Sequence, residues 1–181
     1  MIVFKNIDIL DENFQLKQNV SVRVEGNLIK EISSEPIEQK EADRVIDGKN
    51  RVLIPGFVNA HAHSPMSLMR GYGENMSLQD WLFKRIFPFE DKLNSDAVYY
   101  GTLLTMAESF KYGIVSTSDM YYFVDDMVRA ALESGAKANI SRSITNPAGA
   151  PFDSLESVRE AVEVASKYHM LADGRIRIDH S

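Results

Sequence analysis

Two histidines, His61 and His63, lie one residue apart at the end of the apolar segment PGFVNAHAH, in a chain that contains 4 histidines. Alternate side chains of a β-strand share a face, so both imidazoles are expected on one side with Ala62 turned away. Neutral imidazoles are typical ligands of zinc and related divalent metals. The spacing therefore predicts a metal site, and two hydrogen-bonded histidines partly buried in a hydrophobic core are the alternative.

The composition limits the classes of protein and of site. The chain has 181 residues, of which 44% are hydrophobic and 25% charged, as in ordinary soluble globular proteins. The net charge of -6 argues against a nucleic-acid or anionic-membrane partner. Because there are 0 cysteines, disulfide scaffolds and thiolate metal sites are excluded, and a metal must be held by nitrogen and oxygen ligands.

No segment of the sequence indicates targeting to a membrane or export. The first residues, MIVFKNIDILDENF, carry acids and lack the apolar core and cleavage site of a signal peptide. No apolar stretch approaches the roughly 20 residues that a membrane-spanning helix needs. The expected location is the cytoplasm.

Residues 1–54 are predicted to form a small antiparallel β domain. Val20, Val22 and Val24 alternate with polar residues, and the pattern resumes after Gly26-Asn27, as in a hairpin. Two further short strands are predicted around the Asp-Gly turn of RVIDGKNRVLIPG.

Residues 55–181 alternate between predicted strands and helices. The strands are FVNAHAH, IVSTSDM, AKANISRSI and GRIRID. The helices begin at Ser77, at Ser95 (ending at Gly113), at VDDMVRAALESG, and at a segment capped by Asp153 and Glu156, SLESVREAVEVASKYH. This alternation predicts parallel strands with helices packed outside, either as a doubly wound open sheet or as a (β/α)8 barrel. No Gly-x-Gly-x-x-Gly follows the first strand, so a dinucleotide-binding open sheet has no support.

The positions of the polar residues favour the barrel. His61 and His63, Asp119 and Arg142 all lie at predicted strand ends, where (β/α)8 enzymes carry their functional side chains. A complete barrel needs eight strands and roughly 250 residues. Four strands are found here, so residues 55–181 are expected to be the first half of a barrel, truncated.

Several motifs of the chain resemble the amidohydrolase superfamily. They are PGFVNAHAHSPM with the following MRGY, then DWL, PFED and TSDMYY. More narrowly, the sequence resembles the methylthioadenosine/S-adenosylhomocysteine deaminases and the triazine chlorohydrolases. The resemblance implies an α/β fold, the N-terminal half of a metal-dependent hydrolase barrel, preceded by part of a composite β-sandwich. It also implies that His61 and His63 bind a divalent metal, with zinc favoured and iron as the alternative.

The resemblance further implies hydrolysis of a carbon–nitrogen bond other than a peptide bond. The expected reaction is deamination of an adenosine-type nucleoside by a metal-activated hydroxide. Guanine deaminases, cytosine deaminases and chlorohydrolases remain alternatives within the superfamily. The remaining metal ligands and the proton-shuttling Glu of the family lie beyond Ser181, so the isolated chain is expected to be inactive.

A non-catalytic alternative follows from the open half-barrel itself. A parallel sheet with unpaired edges favours association with a second copy or with a complementing chain. The expected partner of the enzyme, by contrast, is a small purine nucleoside or related heterocycle.

The resemblance assigns substrate contacts to Trp81, Glu90 and Arg142. Trp81 would flank the purine and ribose, although a core anchor is equally expected of a single tryptophan. Glu90 would accept hydrogen bonds from the ribose hydroxyls, with an exposed helix-start acid as the alternative. Arg142 would pair with the amino-acid carboxylate of homocysteine-bearing substrates, with a structural salt bridge as the alternative.

Three further residues are considered near the predicted strand ends. Asp119 is expected to support a ligand or loop without touching the metal, or to cap a helix. His169, near a predicted helix end, is expected to be structural. His180 lies near the substrate-binding histidine of the family, but its spacing does not match clearly and it receives no role.

Overall fold

A computed structural model of the chain describes residues 1–40, 43–146 and 148–180. The chain divides into two compact units, Met1–Pro55 and Gly56–Ser181. Across the described residues, no helix is both long and apolar enough to cross a membrane. The assignment of residues 1–54 and 55–181 as separate domains stays a prediction.

The first unit is a five-stranded sheet. Its strands are β1 (Ile2–Leu10), β2 (Leu16–Glu25), β3 (Leu28–Ser33), β4 (Arg44–Asp47) and β5 (Val52–Leu53). The predicted hairpin is confirmed, since β2 and β3 pair antiparallel through a turn in which Gly26 has a φ of 59°. Residues of β1 and β2 form its core, namely Ile7, Ile9, Val20 and Val22.

The prediction of a purely antiparallel unit is wrong. Both β4 and β5 pair with β1 in the parallel direction, so the sheet is mixed. They do not pair with each other, because β4 lies beside Ile2–Lys5 and β5 lies further along the same edge, beside Asp8 and Ile9. The Asp-Gly turn therefore connects two strands that pair one after the other with β1, and it does not form a hairpin.

The second unit alternates strands and helices as predicted. Its strands are β6 (Phe57–Ala62), β7 (Ile114–Tyr121), β8 (Lys137–Arg142) and β9 (Ile176–His180). Its main helices are α3 (Ser95–Lys111), α4 (Val124–Ser134) and α5 (Glu156–Tyr168). Shorter helical segments are a 3-10 helix (Ser64–Met69), α1 (Leu78–Trp81), a π-helical turn (Leu82–Ile86), α2 (Phe87–Glu90), a second 3-10 turn (Phe152–Ser154) and α6 (Leu171–Gly174).

The four strands form one parallel sheet in the order β6-β7-β8-β9. Sequential parallel order with helical crossovers is the arrangement expected of the first strands of a (β/α)8 barrel. The helices pack on one face, over a buried core that includes Met127, Val128, Ile140, Ile176 and Ile178. Polar residues lie on the other face of the sheet, and this face carries the candidate site.

Local signals set most helix ends. The Ser77 side chain accepts a hydrogen bond from the Asp80 N–H group, as predicted for the start of α1, and Asn94 caps α3 in the same way. Gly135 ends α4 with a φ of 82°, a conformation that favours glycine. The predicted cap of α5 is wrong, because Leu155 occupies the cap position and Asp153 lies in the preceding 3-10 turn.

Candidate metal centre

An open cavity of about 210 Å3 lies at the carboxyl ends of the four parallel strands. It is lined by His61 and His63 with their neighbours Ala60 and Ala62, and by residues of the other three strands, Ser118, Asp119, Met120, Asn139, Ser141, Asp179 and His180. Side chains of different strands meet here because parallel strands end at the same edge of the sheet.

The two predicted metal ligands lie side by side in this cavity. The ring centroids of His61 and His63 are 4.9 Å apart, and the ring planes are inclined at 84°. His61 belongs to β6, whereas His63 lies just past its end and precedes the 3-10 helix. His61 is exposed and His63 half-buried, so both rings are open to the space in which an ion would be bound.

A backbone hydrogen bond fixes the orientation of His63. Its Nδ1 atom lies 2.8 Å from the carbonyl oxygen of Met120. A carbonyl oxygen can only accept, so Nδ1 carries a proton, and in the neutral imidazole Nε2 then has the lone pair. Metal-binding histidines commonly donate their second ring N–H to a carbonyl or carboxylate in this way. This hydrogen bond favours the tautomer of neutral His63 that can bind a metal through Nε2.

Asp119 supports the turn that follows His63. It is 3% exposed, and its Oδ1 and Oδ2 atoms accept from the Ser64 backbone N–H group at 3.1 and 3.4 Å. Burial raises the pKa of Asp119, and the hydrogen bonds from Ser64 oppose that shift. The residue lies within β7, two residues before the strand ends at Tyr121.

The 3-10 helix after His63 is docked closely on α3. The Thr105 hydroxyl donates to the Ser64 carbonyl oxygen at 2.7 Å, and the Ser67 hydroxyl donates to the Gly101 carbonyl oxygen at 2.8 Å. A Cβ atom on Gly101 would lie only 2.8 Å from the Pro65 carbonyl oxygen. The backbones can approach because position 101 has no side chain.

Glu90, the predicted ribose-binding acid, is held by a tyrosine of β7. The Tyr121 hydroxyl donates to the Glu90 Oε1 atom at 2.7 Å. The ring of Tyr121 lies 6.3 Å from that of His63, centroid to centroid. Burial, together with the Glu90 carboxylate, raises the pKa of Tyr121, so the phenol remains a protonated donor.

Arg142 ends β8 and is engaged with other protein groups. Its Nε atom donates to Glu160 Oε2 at 2.5 Å, and its Nη1 atom donates to the Ser143 carbonyl oxygen at 2.5 Å. Its guanidinium carbon lies 5.1 Å from the ring centroid of Tyr122. These contacts are those of the salt-bridge alternative, and Arg142 does not line the cavity of the histidine pair.

Trp81 is half-buried at the end of α1 and also lies outside the lining of the cavity. Its Cδ1 atom packs against Gly73, where an added Cβ would approach it to 2.9 Å. This contact is the one expected of a local packing residue. A role in stacking on a purine stays a prediction.

Two residues with no role predicted from the sequence, His180 and Tyr121, lie close to the proposed ligands. His180 is the last residue of β9 and lines the same cavity as the histidine pair. Its place at a strand end was the signal that could have found it. Tyr121 also ends a strand, but its hydroxyl partner comes from a distant helix, which no local pattern reveals. His169 caps the end of α5, with Nδ1 3.0 Å from the Ile178 carbonyl oxygen.

The donor set suits a divalent transition metal but is partial. The histidine pair offers two imidazoles, one of them with its tautomer fixed. Within residues 1–40, 43–146 and 148–180, no group of three or more His, Cys, Asp or Glu side chains could hold an ion. A bound metal would thus need further ligands besides these two.

The chain is similar to known proteins along nearly its whole length. Residues 52–179 match the profile of the Amidohydrolase family. A 5-methylthioadenosine/S-adenosylhomocysteine deaminase of Dictyoglomus thermophilum is 38% identical over 177 residues, which are 98% of this chain and 40% of the relative. The chain thus spans less than half the length of this relative.

Solved structures show the same fold. Zinc-bound atrazine chlorohydrolase from Arthrobacter aurescens TC1 matches with a TM-score of 0.84 at 18% identity, covering 99% of this chain and 46% of that one. A zinc-bound adenosine deaminase from Xanthomonas campestris matches with a TM-score of 0.83 at 22% identity, covering 99% and 42%. The predicted fold class is confirmed: a small β unit followed by the first part of a hydrolase (β/α)8 barrel.

Proposed function

We propose that this chain, which belongs to the amidohydrolase family, is the N-terminal part of a metal-dependent hydrolase that deaminates adenosine-type nucleosides. The bond hydrolysed would be the exocyclic carbon–nitrogen bond of the purine, with ammonia as the product. The deaminase that is 38% identical over 98% of the chain supports this substrate class.

His61 and His63 would hold the metal, with zinc favoured and iron as the alternative. The single observation that carries this assignment is the hydrogen bond from His63 Nδ1 to the Met120 carbonyl oxygen, which leaves Nε2 as the ring nitrogen available to a metal. When bound, a divalent cation supplies Lewis acidity and makes water a usable nucleophile near neutral pH.

The surrounding residues would position the metal ligands and the substrate. Asp119, through Ser64, would fix the turn that follows His63. Glu90 would accept hydrogen bonds from the ribose hydroxyls, because a carboxylate offers acceptors to a vicinal diol.

Arg142 would bind an amino-acid carboxylate, and to do so it must share its guanidinium with Glu160. Trp81 would cover one side of the purine and ribose.

The metal assignment is tested by metal content. The His61→Ala/His63→Ala variant of the full-length protein, which would also contain the remaining ligands, is expected to lose its zinc, measured by atomic emission after purification and dialysis. His169→Ala is the matched control, since His169 lies outside the cavity and should leave the zinc content unchanged. Equal zinc in a folded double variant and in the wild type would exclude these two residues as ligands.

The substrate class is tested by ammonia release from a panel of heterocycles, with the full-length protein of which these 181 residues are proposed to be the N-terminal part. Adenosine, methylthioadenosine and S-adenosylhomocysteine are expected to be deaminated in preference to guanine and cytosine. Chloride release from a chlorotriazine is the alternative, supported by the fold shared with atrazine chlorohydrolase. Turnover of no ring amine and no ring halide would contradict the proposal.

A further inference from the structure

We infer that Tyr121 is a positioning residue for nucleoside binding: its hydroxyl fixes one oxygen of Glu90 so that the other is presented to the vicinal hydroxyls of ribose. The inference rests on the proposed function and deepens it, because it identifies the group that prepares the sugar site. Tyr121 itself would not touch the substrate.

The first support is the hydrogen bond and its surroundings. The Tyr121 hydroxyl lies 2.7 Å from Glu90 Oε1, and Tyr121 is 4% exposed. Tyr121 is the last residue of β7, whose backbone is paired with β8 at this position. The donor is therefore held by the sheet, whereas Glu90 ends the short helix α2.

The second support is the other oxygen of Glu90. Within the part of the chain that the structure describes, no hydrogen bond or ion pair is recorded for Oε2, although Glu90 is half-buried. A carboxylate with one oxygen fixed and the other available is suited to accept from a ligand hydroxyl group. A carboxylate that accepts hydrogen bonds from both hydroxyl groups of a vicinal diol must have a defined orientation. The terminal torsion of a glutamate is broad, so a partner such as Tyr121 is needed to restrain it.

The third support is the position of Tyr121 beside the metal ligands. The carbonyl oxygen of Met120, one residue earlier, accepts from His63, and the carboxylate of Asp119 accepts from Ser64. Three consecutive residues of β7 thus support His63, the turn after it, and Glu90. The strand sets the distance between the proposed metal site and the proposed sugar site.

The test compares two probes that differ only in the diol. Binding of adenosine and of 2′,3′-dideoxyadenosine to the metal-free full chain is measured by isothermal titration calorimetry, so no turnover is needed. Wild type is expected to prefer adenosine. Tyr121→Phe is expected to weaken adenosine binding roughly tenfold, the value of a hydrogen bond to a charged group, and to leave the dideoxy probe unchanged.

Tyr99→Phe is the matched control. The Tyr99 hydroxyl donates to Glu133 Oε2 at 2.5 Å between α3 and α4, away from the cavity. This variant removes a hydrogen bond of the same type, from a tyrosine to a glutamate, and should leave the affinities for both probes unchanged. Thermal unfolding of each variant verifies that it is folded.

A double-mutant cycle separates positioning from general structural support. In a Glu90→Gln background, Tyr121→Phe is expected to cause little further loss of adenosine affinity, because Tyr121 acts through the Glu90 carboxylate. Additive losses would overturn the inference. So would retention of the adenosine preference by a folded Tyr121→Phe protein, or absence of any preference in the wild type.

Failure of the proposed function gives a different result. If the diol preference depends on Tyr121 but the metal-loaded protein releases no ammonia from any nucleoside, the sugar site stands and the deaminase assignment falls.

Discussion

Asp119 is a buried acid whose carboxylate accepts a hydrogen bond from the backbone N–H group of Ser64. Such a residue is costly to bury, since water can no longer solvate its charge. A polar group of this kind at the end of a barrel strand is expected where it orients a functional neighbour.

Asp119→Asn is expected to lower zinc affinity by roughly tenfold, because the neutral amide oxygen is a weaker acceptor for the N–H group beside His63. The free energy of unfolding should change by less than about 1 kcal/mol, since asparagine keeps the shape and one acceptor. Competition with a zinc chelator and urea denaturation measure the two effects. Asp96→Asn, at an exposed acid of α3, is the control; an Asp119→Asn protein that binds zinc as tightly as this control would contradict the expectation.

At the residue scale, the sequence predicts groups that lie close together along the chain and not those that meet through the fold. A single residue separates His61 from His63, so their shared cavity follows from strand geometry. The bond between Glu90 and Tyr121 joins residues 31 positions apart. The engagement of Arg142 by Glu160 likewise depends on how α5 packs beside β8.

Among the elements, α3 and the 3-10 helix make a close backbone contact at Gly101. A Cβ at position 101 would lie 2.8 Å from the carbonyl oxygen of Pro65 and 3.0 Å from its Cα atom. Backbone atoms cannot move aside as a flexible side chain can, so any added volume must shift the helix that begins after His63.

Gly101→Ala is expected to destabilise the protein by about 1–3 kcal/mol, although alanine is the better helix former, because overpacking outweighs helix propensity here. Zinc affinity should fall with it, since Ser64 and His63 move together with the displaced segment. Chemical denaturation and chelator competition give the two values. An alanine variant as stable as wild type, with unchanged zinc affinity, would show that the contact can relax freely.

The same two elements are joined at the surface by a bidentate ion pair. Arg70 donates from Nη1 and Nη2 to the two carboxylate oxygens of Glu108, at 2.9 and 2.6 Å. The hydrogen bond from Arg70 lowers the pKa of Glu108 below its ordinary value of 4.5. The stabilisation is therefore complete above the unfolded pKa and is lost as the pH falls through the lower folded one.

Glu108→Gln should accordingly be less stable than wild type at neutral pH, by a small amount because the pair is exposed. The difference in unfolding free energy should shrink as the pH is lowered to about 3. Added salt at neutral pH should reduce it as well, by screening. Urea denaturation of both proteins across the pH series measures this difference. If the difference in unfolding free energy grew on acidification, the expectation would be contradicted.

Element types were predictable because hydrophobic periodicity and local caps are encoded over short distances, as at Ser77 and Gly135. The direction in which strands pair in the first unit was not predictable from the sequence. The sequence around the Asp-Gly turn predicts two short strands of an antiparallel unit, yet β4 and β5 both pair with β1 in the parallel direction. The partner of a strand is decided by long-range packing, which alternation alone cannot reveal.

At the scale of the whole molecule, the sheet of the second unit has two edges, β6 and β9, that pair with no further strand among the residues the structure describes. On β6, Phe57 is 57% exposed and Val58 is 67% exposed. Exposed edge strands with apolar side chains are templates for pairing with another chain.

A polypeptide of these 181 residues alone is therefore expected to self-associate at micromolar concentration, observed by sedimentation velocity. Phe57→Lys/Val58→Lys should shift it towards monomer, because charges on an edge strand oppose pairing. Val162→Lys, at a residue of α5 that is 61% exposed, is the control and should leave association unchanged. A monomer with cooperative unfolding would contradict this expectation.

The short stretch Asp119–Tyr121 reaches both the imidazole of His63 and the carboxylate of Glu90. The proposed metal site and the proposed sugar site would then both be positioned by the same three residues of β7. The ligand that binds first, metal or nucleoside, would restrain β7. The other ligand would then pay less conformational entropy to order the strand, so each should raise the affinity of the other by the same factor. Cooperative loading of metal and nucleoside would follow from three adjacent residues, without any large movement of the protein.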